Sequence, residues 1–175
     1  MKTEIDWSKS HNGVMLCTFR RTIELMPEVK EIIESLIPHL QYHKLNYLID
    51  VKVHMLMPGE WPCIPNWHCD FLPRDENRKH IKFVDDDLDL MYIWTSGEPH
   101  TEFKTHQGNI TTENGETWTK INQRDLHRGL KSEIHTWRCF IRLIPSWFVH
   151  PGTKNMGQIR RHSQVYIDDP QLFGW

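Results

Sequence analysis

Apolar residues recur along the chain at two different periods, and the change between them divides it. Val29, Ile32, Ile33, Leu36, Ile37 and Leu40 follow the i, i+3, i+4, i+7 rule, while Glu28, Lys30, Glu31 and Glu34 occupy the opposite side. Pro27 suits a first helical turn, so the segment predicts an amphipathic helix with one face against an apolar partner. Before it, Val14 to Ile23 is rich in β-branched and aromatic residues and predicts a strand. After it the period falls to two. Tyr47, Ile49, Val51, Val53, Met55 and Met57 alternate with Leu48, Asp50, Lys52, His54 and Leu56, which predicts a long strand that buries its odd-numbered face. Pro58-Gly59 ends it, and Pro62 and Pro65 hold the next stretch as a loop.

Further strands are predicted at Trp67 to Phe71, Leu88 to Thr95, Thr101 to Lys104, Glu116 to Ile121, Thr136 to Ile144 and Gln164 to Ile167. Turn pairs such as Ser96-Gly97 and Asn114-Gly115 separate several of them. Many short strands after one early helix predict an α+β fold with a β-sandwich or barrel body, the helix covering one sheet from outside. No repeat or flexible linker interrupts the 175 residues, so residues 1–175 are expected to form a single domain.

Composition narrows the partners. The net charge is only -2 with both signs interspersed, so nucleic acid is not indicated, though it stays an open substrate class. The first residues lack a signal-peptide core and no apolar run is long enough for a bilayer, which predicts a cytoplasmic protein without membrane partners. The cysteines Cys17, Cys63, Cys69 and Cys139 form no CxxC pair and read as reduced, structural thiols. Asp85-Asp86-Asp87 reads as a solvated turn and Arg160-Arg161 as surface, with contact to an acidic partner as the alternative. Trp147, Phe148 and Leu172-Phe173-Gly174-Trp175 could supply an apolar contact surface, so a monomer and a homodimer are both compatible with the sequence.

The chemistry lies in spaced histidines and arginines. In Trp67-His68-Cys69-Asp70, residues two apart on a strand face the same side, so His68 and Asp70 would converge and Cys69 would point away. An imidazole and a carboxylate on one face become two ligands of a facial triad when a second histidine joins them. Asp125-Leu126-His127-Arg128-Gly129 offers that histidine, with His100, His106, His135 and His150 as competitors. His135 lies only three residues before Arg138, too close for a turn between strands, which favours His127. Downstream, Arg138 and Arg142 share one strand parity with Phe140, opposite Trp137, Cys139, Ile141 and Leu143. If the strand is central, as expected, two guanidinium groups on one face need anions, because an unpaired buried charge is expensive; a solvated face on an edge strand is the alternative.

This ordered series resembles the Fe(II)/2-oxoglutarate-dependent dioxygenase superfamily, whose pattern is His-x-Asp, a distal His and an Arg about ten residues later. Arg138 follows His127 by eleven positions, and Arg142, four further on, is similar to a second Arg of the taurine-dioxygenase-like branch; phytanoyl-CoA hydroxylase-like members share the pattern. The resemblance implies a double-stranded β-helix of jelly-roll, cupin-like form, with the N-terminal helix packed on one sheet. It implies His68, Asp70 and His127 as ligands of Fe(II), and Arg138 as the partner of the far carboxylate of the co-substrate 2-oxoglutarate. Arg142 would assist that carboxylate or meet an acidic group of the substrate. Thr101-Glu102-Phe103 is similar to a Thr-x-Phe stretch of the family, which implies a hydroxyl contact from Thr101. Trp61, in the Pro-rich loop leading into the motif, is expected at the substrate site. The substrate could be a small molecule or a macromolecule. Two rivals remain: a cupin-like metalloprotein with other chemistry, and a non-catalytic jelly-roll binding or inhibitor protein.

Overall fold

The computed structural model describes residues 5–10, 13–71, 89–105, 107–150, 152–153, 156–160 and 163–167. Nine strands, β1 (Gly13–Cys17), β2 (Tyr47–Leu56), β3 (Met91–Ser96), β4 (Thr101–Lys104), β5 (Ile110–Thr112), β6 (Thr119–Ile121), β7 (Leu126–Gly129), β8 (Thr136–Pro145) and β9 (Gln158–Arg160), form two sheets among the described residues. The larger has the order β6-β3-β8-β2-β1-β9 and the smaller β5-β4-β7, with every pairing antiparallel. Two short helices, α1 (Phe19–Leu25) and α2 (Lys30–Leu36), complete a mixed α+β fold consistent with a β-sandwich. Among the described residues no helix is long and apolar enough to cross a membrane.

The two faces of the large sheet follow from strand parity. Tyr92, Trp94, Ile141, Leu143, Ile49, Val51 and Val53 lie on one face through the registers Tyr92↔Leu143, Trp94↔Ile141, Val51↔Ile141 and Ile49↔Leu143. They share the main core with Val29, Ile33 and Leu36 of the helical segment. Each of these three aliphatic side chains is at most 2% exposed, and burial of this kind stabilises by roughly 1.5–3 kcal/mol apiece. Pro27 and Pro38 each sit in a short 3-10 turn flanking α2, so the predicted continuous helix is a seven-residue α-helix between tighter turns.

The opposite parity forms a polar face. Asp50 lies opposite Arg142, Lys52 opposite Phe140 and His54 opposite Arg138, with Ile93 and Thr95 of β3 on the far side of β8. The even-numbered face of β2 is therefore not a solvent face. Asp50 and His54 are each 2% exposed, whereas Met55 and Met57 of the supposedly buried parity are 43% and 45% exposed. The alternation is real, but the polar side faces the space between the two sheets.

Other expectations shift in detail. The strand expected from Val14 to Ile23 stops at Cys17 because Thr18 caps α1, its Oγ1 accepting a hydrogen bond from the Arg21 N–H at 3.3 Å. Arg20 and Glu24 then pair across one turn of the helix. Trp67 to Phe71 forms no strand: prolines precede it, Phe71 has φ +54°, and only His68 makes a bridge, to His127. Gln164 to Ile167 likewise contributes a single bridge, Tyr166 to Trp61. The stretch from Glu116 narrows to β6, and β5, β7 and β9 are additional strands. Leu88, Asp85-Asp86-Asp87, His106, Arg161 and Leu172-Phe173-Gly174-Trp175 lie outside the described residues.

Candidate metal centre

His127 stands on β7 of the small sheet, and His68 on the loop beside it. Their backbones bond reciprocally, His68 N–H to His127 O at 3.0 Å and His127 N–H to His68 O at 2.9 Å. This ties the His-x-Asp loop to the strand and brings the two rings to a centroid distance of 4.4 Å. One potential ligand atom from each of His68, Asp70 and His127 lies within 4.8 Å of the others. A regular strand is thus not what makes His68 and Asp70 converge; one bridge suffices.

Gly129, two residues after His127, permits the approach of the preceding loop. A Cβ there would lie 2.7 Å from Cys63 Sγ and 3.3 Å from Cys63 O, and the Gly129 N–H donates to Ile64 O at 3.2 Å.

Both imidazoles are oriented by main chain. Nδ1 of His68 lies 2.8 Å from Asn66 O, and Nδ1 of His127 lies 2.9 Å from Asp125 O. A carbonyl only accepts, so each Nδ1 carries a proton and each Nε2 is the nitrogen turned towards Asp70 and available to a metal. Fixing a ring through its other nitrogen is the arrangement that metal-binding histidines use. The Asp125 carbonyl is itself held in a tight turn, where Asp125 Oδ2 accepts from Asn122 N–H at 2.7 Å. Burial, then the neighbouring His127, keeps the His68 imidazole below its ordinary range and so neutral at physiological pH.

Asp70 faces His127, with Oδ2 3.6 Å from Nε2, and accepts a direct hydrogen bond from Arg142. Burial works against its charge, but Arg142, with His127 and His68 behind it, holds the carboxyl well below the usual carboxylate range. Arg142 also donates to Asp50 Oδ2 at 3.3 Å, and Arg160 donates to Asp50 Oδ1 at 2.7 Å. Burial disfavours the Arg142 cation, yet Asp70 and Asp50 more than compensate and raise its affinity for the proton. Arg160, expected at the surface, is therefore an interior partner of Asp50.

Arg138, four residues before Arg142 on the same face of β8, is 2% exposed. Its Nε donates to Pro99 O at 2.8 Å and its Nη2 to Thr101 Oγ1 at 3.3 Å, with Glu113 Oε1 at 3.9 Å. Glu113 is occupied by the Thr95 hydroxyl at 2.5 Å and the Thr101 N–H at 3.0 Å, so its charge only partly answers Arg138. The two arginines were expected to need external anions. Arg142 has internal ones, and Arg138 is the less compensated of the two.

These groups line a cavity of about 180 Å³ between the sheets. His68, Asp70, His127, Thr101, Arg138 and Arg142 all border it. Trp61 does not: its neighbours Pro62, Cys63 and Ile64 do, while its own ring lies beneath the Lys131 ammonium at 5.2 Å. Of the rival histidines, His135 and His150 are exposed and His100 pairs with Glu98 at 3.1 Å. No family model matches this chain, and a search of curated proteins finds no match.

The sequence reading passed over Asp50, Lys52, His54, Glu113, Gln164 and Tyr166, all at or just behind the cavity wall. The first three had a usable signal. An Asp, a Lys and a His alternating on a ten-residue strand whose other parity is apolar mark a polar interior as readily as a solvent face.

Proposed function

We propose that the chain is an Fe(II)- and 2-oxoglutarate-dependent oxygenase on a double-stranded β-helix of jelly-roll, cupin-like type, with dioxygen as the oxidant: one oxygen atom hydroxylates the substrate and the other enters succinate as carbon dioxide is released. The observation that carries this reading is the convergence of two imidazoles, each oriented through Nδ1 by a main-chain carbonyl, and one anionic carboxylate on a cavity that also holds a buried arginine beside a threonine hydroxyl. His68, Asp70 and His127 would hold the metal on one face and leave its other positions open. Bound iron supplies the redox chemistry that couples decarboxylation of 2-oxoglutarate to oxidation of the substrate. Arg138 and Thr101 offer a planar fork and a hydroxyl to the far carboxylate, and burial strengthens that pairing. Arg142 keeps Asp70 charged and oriented before metal arrives. A cytoplasmic location, as monomer or homodimer, goes with this reading.

A second reading has one observation in its favour. The Arg142 to Asp70 ion pair satisfies the carboxylate without any metal, as a non-catalytic binding or inhibitor protein on the same fold would require. A cupin-like metalloprotein would need the triad but not Arg138.

The deciding experiment is to add Fe(II) and then 2-oxoglutarate without oxygen and look for the visible charge-transfer band of the chelate, with Asp70→Ala and Arg138→Ala as controls. A band lost in both variants supports the oxygenase. Iron binding without a band favours the cupin-like protein, and no iron binding favours the binding protein.

A further inference from the structure

Lys52 and His54 border the cavity from β2, and the metal reading uses neither. His54 is 2% exposed, and neither ring nitrogen has a hydrogen-bond partner of full geometry; the nearest candidate is the Gln164 backbone, which favours the protonated ring. Burial, then Arg138 and Lys52, holds this imidazole well below its ordinary range, so it is neutral and offers one N–H donor. Lys52 directs its ammonium over the Phe140 ring at 5.6 Å and pairs with no carboxylate among the described residues. Among the described residues the structure thus holds, side by side on the cavity wall, a cation with no paired carboxylate and a ring with no hydrogen bond of full geometry.

Charge bookkeeping across the cavity shows what is missing. Among the described residues, Lys52, Arg138, Arg142 and Arg160 stand against Asp50, Asp70 and Glu113, an excess of one positive charge. A divalent ion raises the excess to three, and the dianion 2-oxoglutarate lowers it to one. Lys52 is the cation left over. An uncompensated charge in a low-dielectric site favours a ligand of opposite sign.

We propose that Lys52 and His54 form a subsite for an oxyanion, a carboxylate or a phosphate group, carried by the primary substrate and separate from the co-substrate position at Arg138. This rests on the oxygenase reading of the same cavity. Lys52 would supply the charge and His54 a directional hydrogen bond; Phe140 lies opposite Lys52 and between Arg138 and Arg142 on β8, while His54 stands directly opposite Arg138, so the subsite adjoins the co-substrate position. The substrate class is then an acidic molecule rather than a neutral or cationic one.

Calorimetry on the Fe(II) and 2-oxoglutarate complex without oxygen tests this, with sulfate and acetate as probes for the tetrahedral and planar groups. At least one anion is expected to bind the unaltered protein and to bind Lys52→Met about tenfold more weakly, since charge-assisted bonds carry that order of contribution. Lys52→Arg should restore binding and His54→Leu should weaken it, while all variants keep the charge-transfer band at unchanged 2-oxoglutarate concentrations. The preferred anion tells phosphate from carboxylate. Neither anion binding, or equal binding by Lys52→Met, overturns the proposal. So does a parallel loss of 2-oxoglutarate affinity in Lys52→Met, which would assign Lys52 to the co-substrate. If no band forms in the unaltered protein, the oxygenase reading fails, and the difference in anion binding between the unaltered protein and Lys52→Met still decides the subsite.

Discussion

Arg142 donates to the same Asp70 oxygen that faces His127, so the guanidinium stands where it answers the carboxylate before any metal does. A divalent ion and Arg142 are competing counter-charges for one anion. Replacing Arg142 with Met should destabilise the metal-free protein by about 2–3 kcal/mol, below the range for a fully buried pair because Asp70 is 24% exposed. Adding Zn(II) or Fe(II) should recover more stability in Arg142→Met than in the unaltered protein. Melting curves with and without metal check this; an equal metal-induced rise in both proteins would show that the two counter-charges do not compete.

The choice of histidine is tested by metal affinity. His127→Ala should lose at least about a hundredfold in affinity, since it removes a ligand. His100→Ala and His135→Ala should change it by less than about twofold. In the metal-loaded protein, nitrogen shifts of His68 and His127 should place the metal on Nε2 and the proton on Nδ1, the tautomer that the Asn66 and Asp125 carbonyls impose.

Acid should weaken the fold through His54 and His68. Both imidazoles have folded-state affinities for the proton below the unfolded value near 6.5. Stability is therefore fully present above that pH and is lost as pH falls through and below it, because the unfolded chain takes up protons that the folded one refuses. The slope approaches roughly 1.4 kcal/mol per pH unit for each histidine involved. Denaturant midpoints measured from pH 7.5 down to 5 should fall less steeply in His54→Leu; an unchanged slope would mean that His54 is not held neutral.

Gly129→Ala should cost about 1–3 kcal/mol, as overpacking of a tight contact does. The added methyl meets the Cys63 thiol at 2.7 Å, so Cys63→Ala should recover part of the loss. The Cys63 backbone atoms at 3.3 Å and 3.4 Å limit that recovery. A double-mutant cycle in denaturant reads the coupling directly, and strict additivity would rule out the contact as the cause.

Periodicity made β2, β8 and the apolar parity of the helical segment legible, because burial on one face leaves a direct imprint on residue type. It did not reveal which side of a polar strand face is wet. Asp50, Lys52 and His54 look the same beside water as beside a cavity, and only the position of the small sheet decides. The triad was visible as residue types at a spacing, but for an incomplete reason: His68 and Asp70 meet through one bridge to His127, a contact between residues 59 positions apart that no local pattern encodes. Trp61 was legible by its loop, whose next three residues border the cavity, but no pattern in the sequence shows that its ring lies beneath Lys131 and outside the lining. Thr18 was overlooked as a cap because Thr22 and Ile23 suit a strand as well as a helix.

Asp50 joins Arg142 of β8 to Arg160 of β9, which gives the order of synthesis a consequence. The three residues that would grip a metal are all in place by position 127, but one of the two guanidinium groups that share Asp50 emerges only at position 160. A growing or clipped chain ending before β9 would hold every metal-gripping side chain while Asp50 leaned on Arg142 alone. Such a fragment would draw Arg142 towards Asp50 and leave Asp70 freer for a divalent ion, so β9, reached last among the described strands, tightens the hold of Arg142 on Asp70.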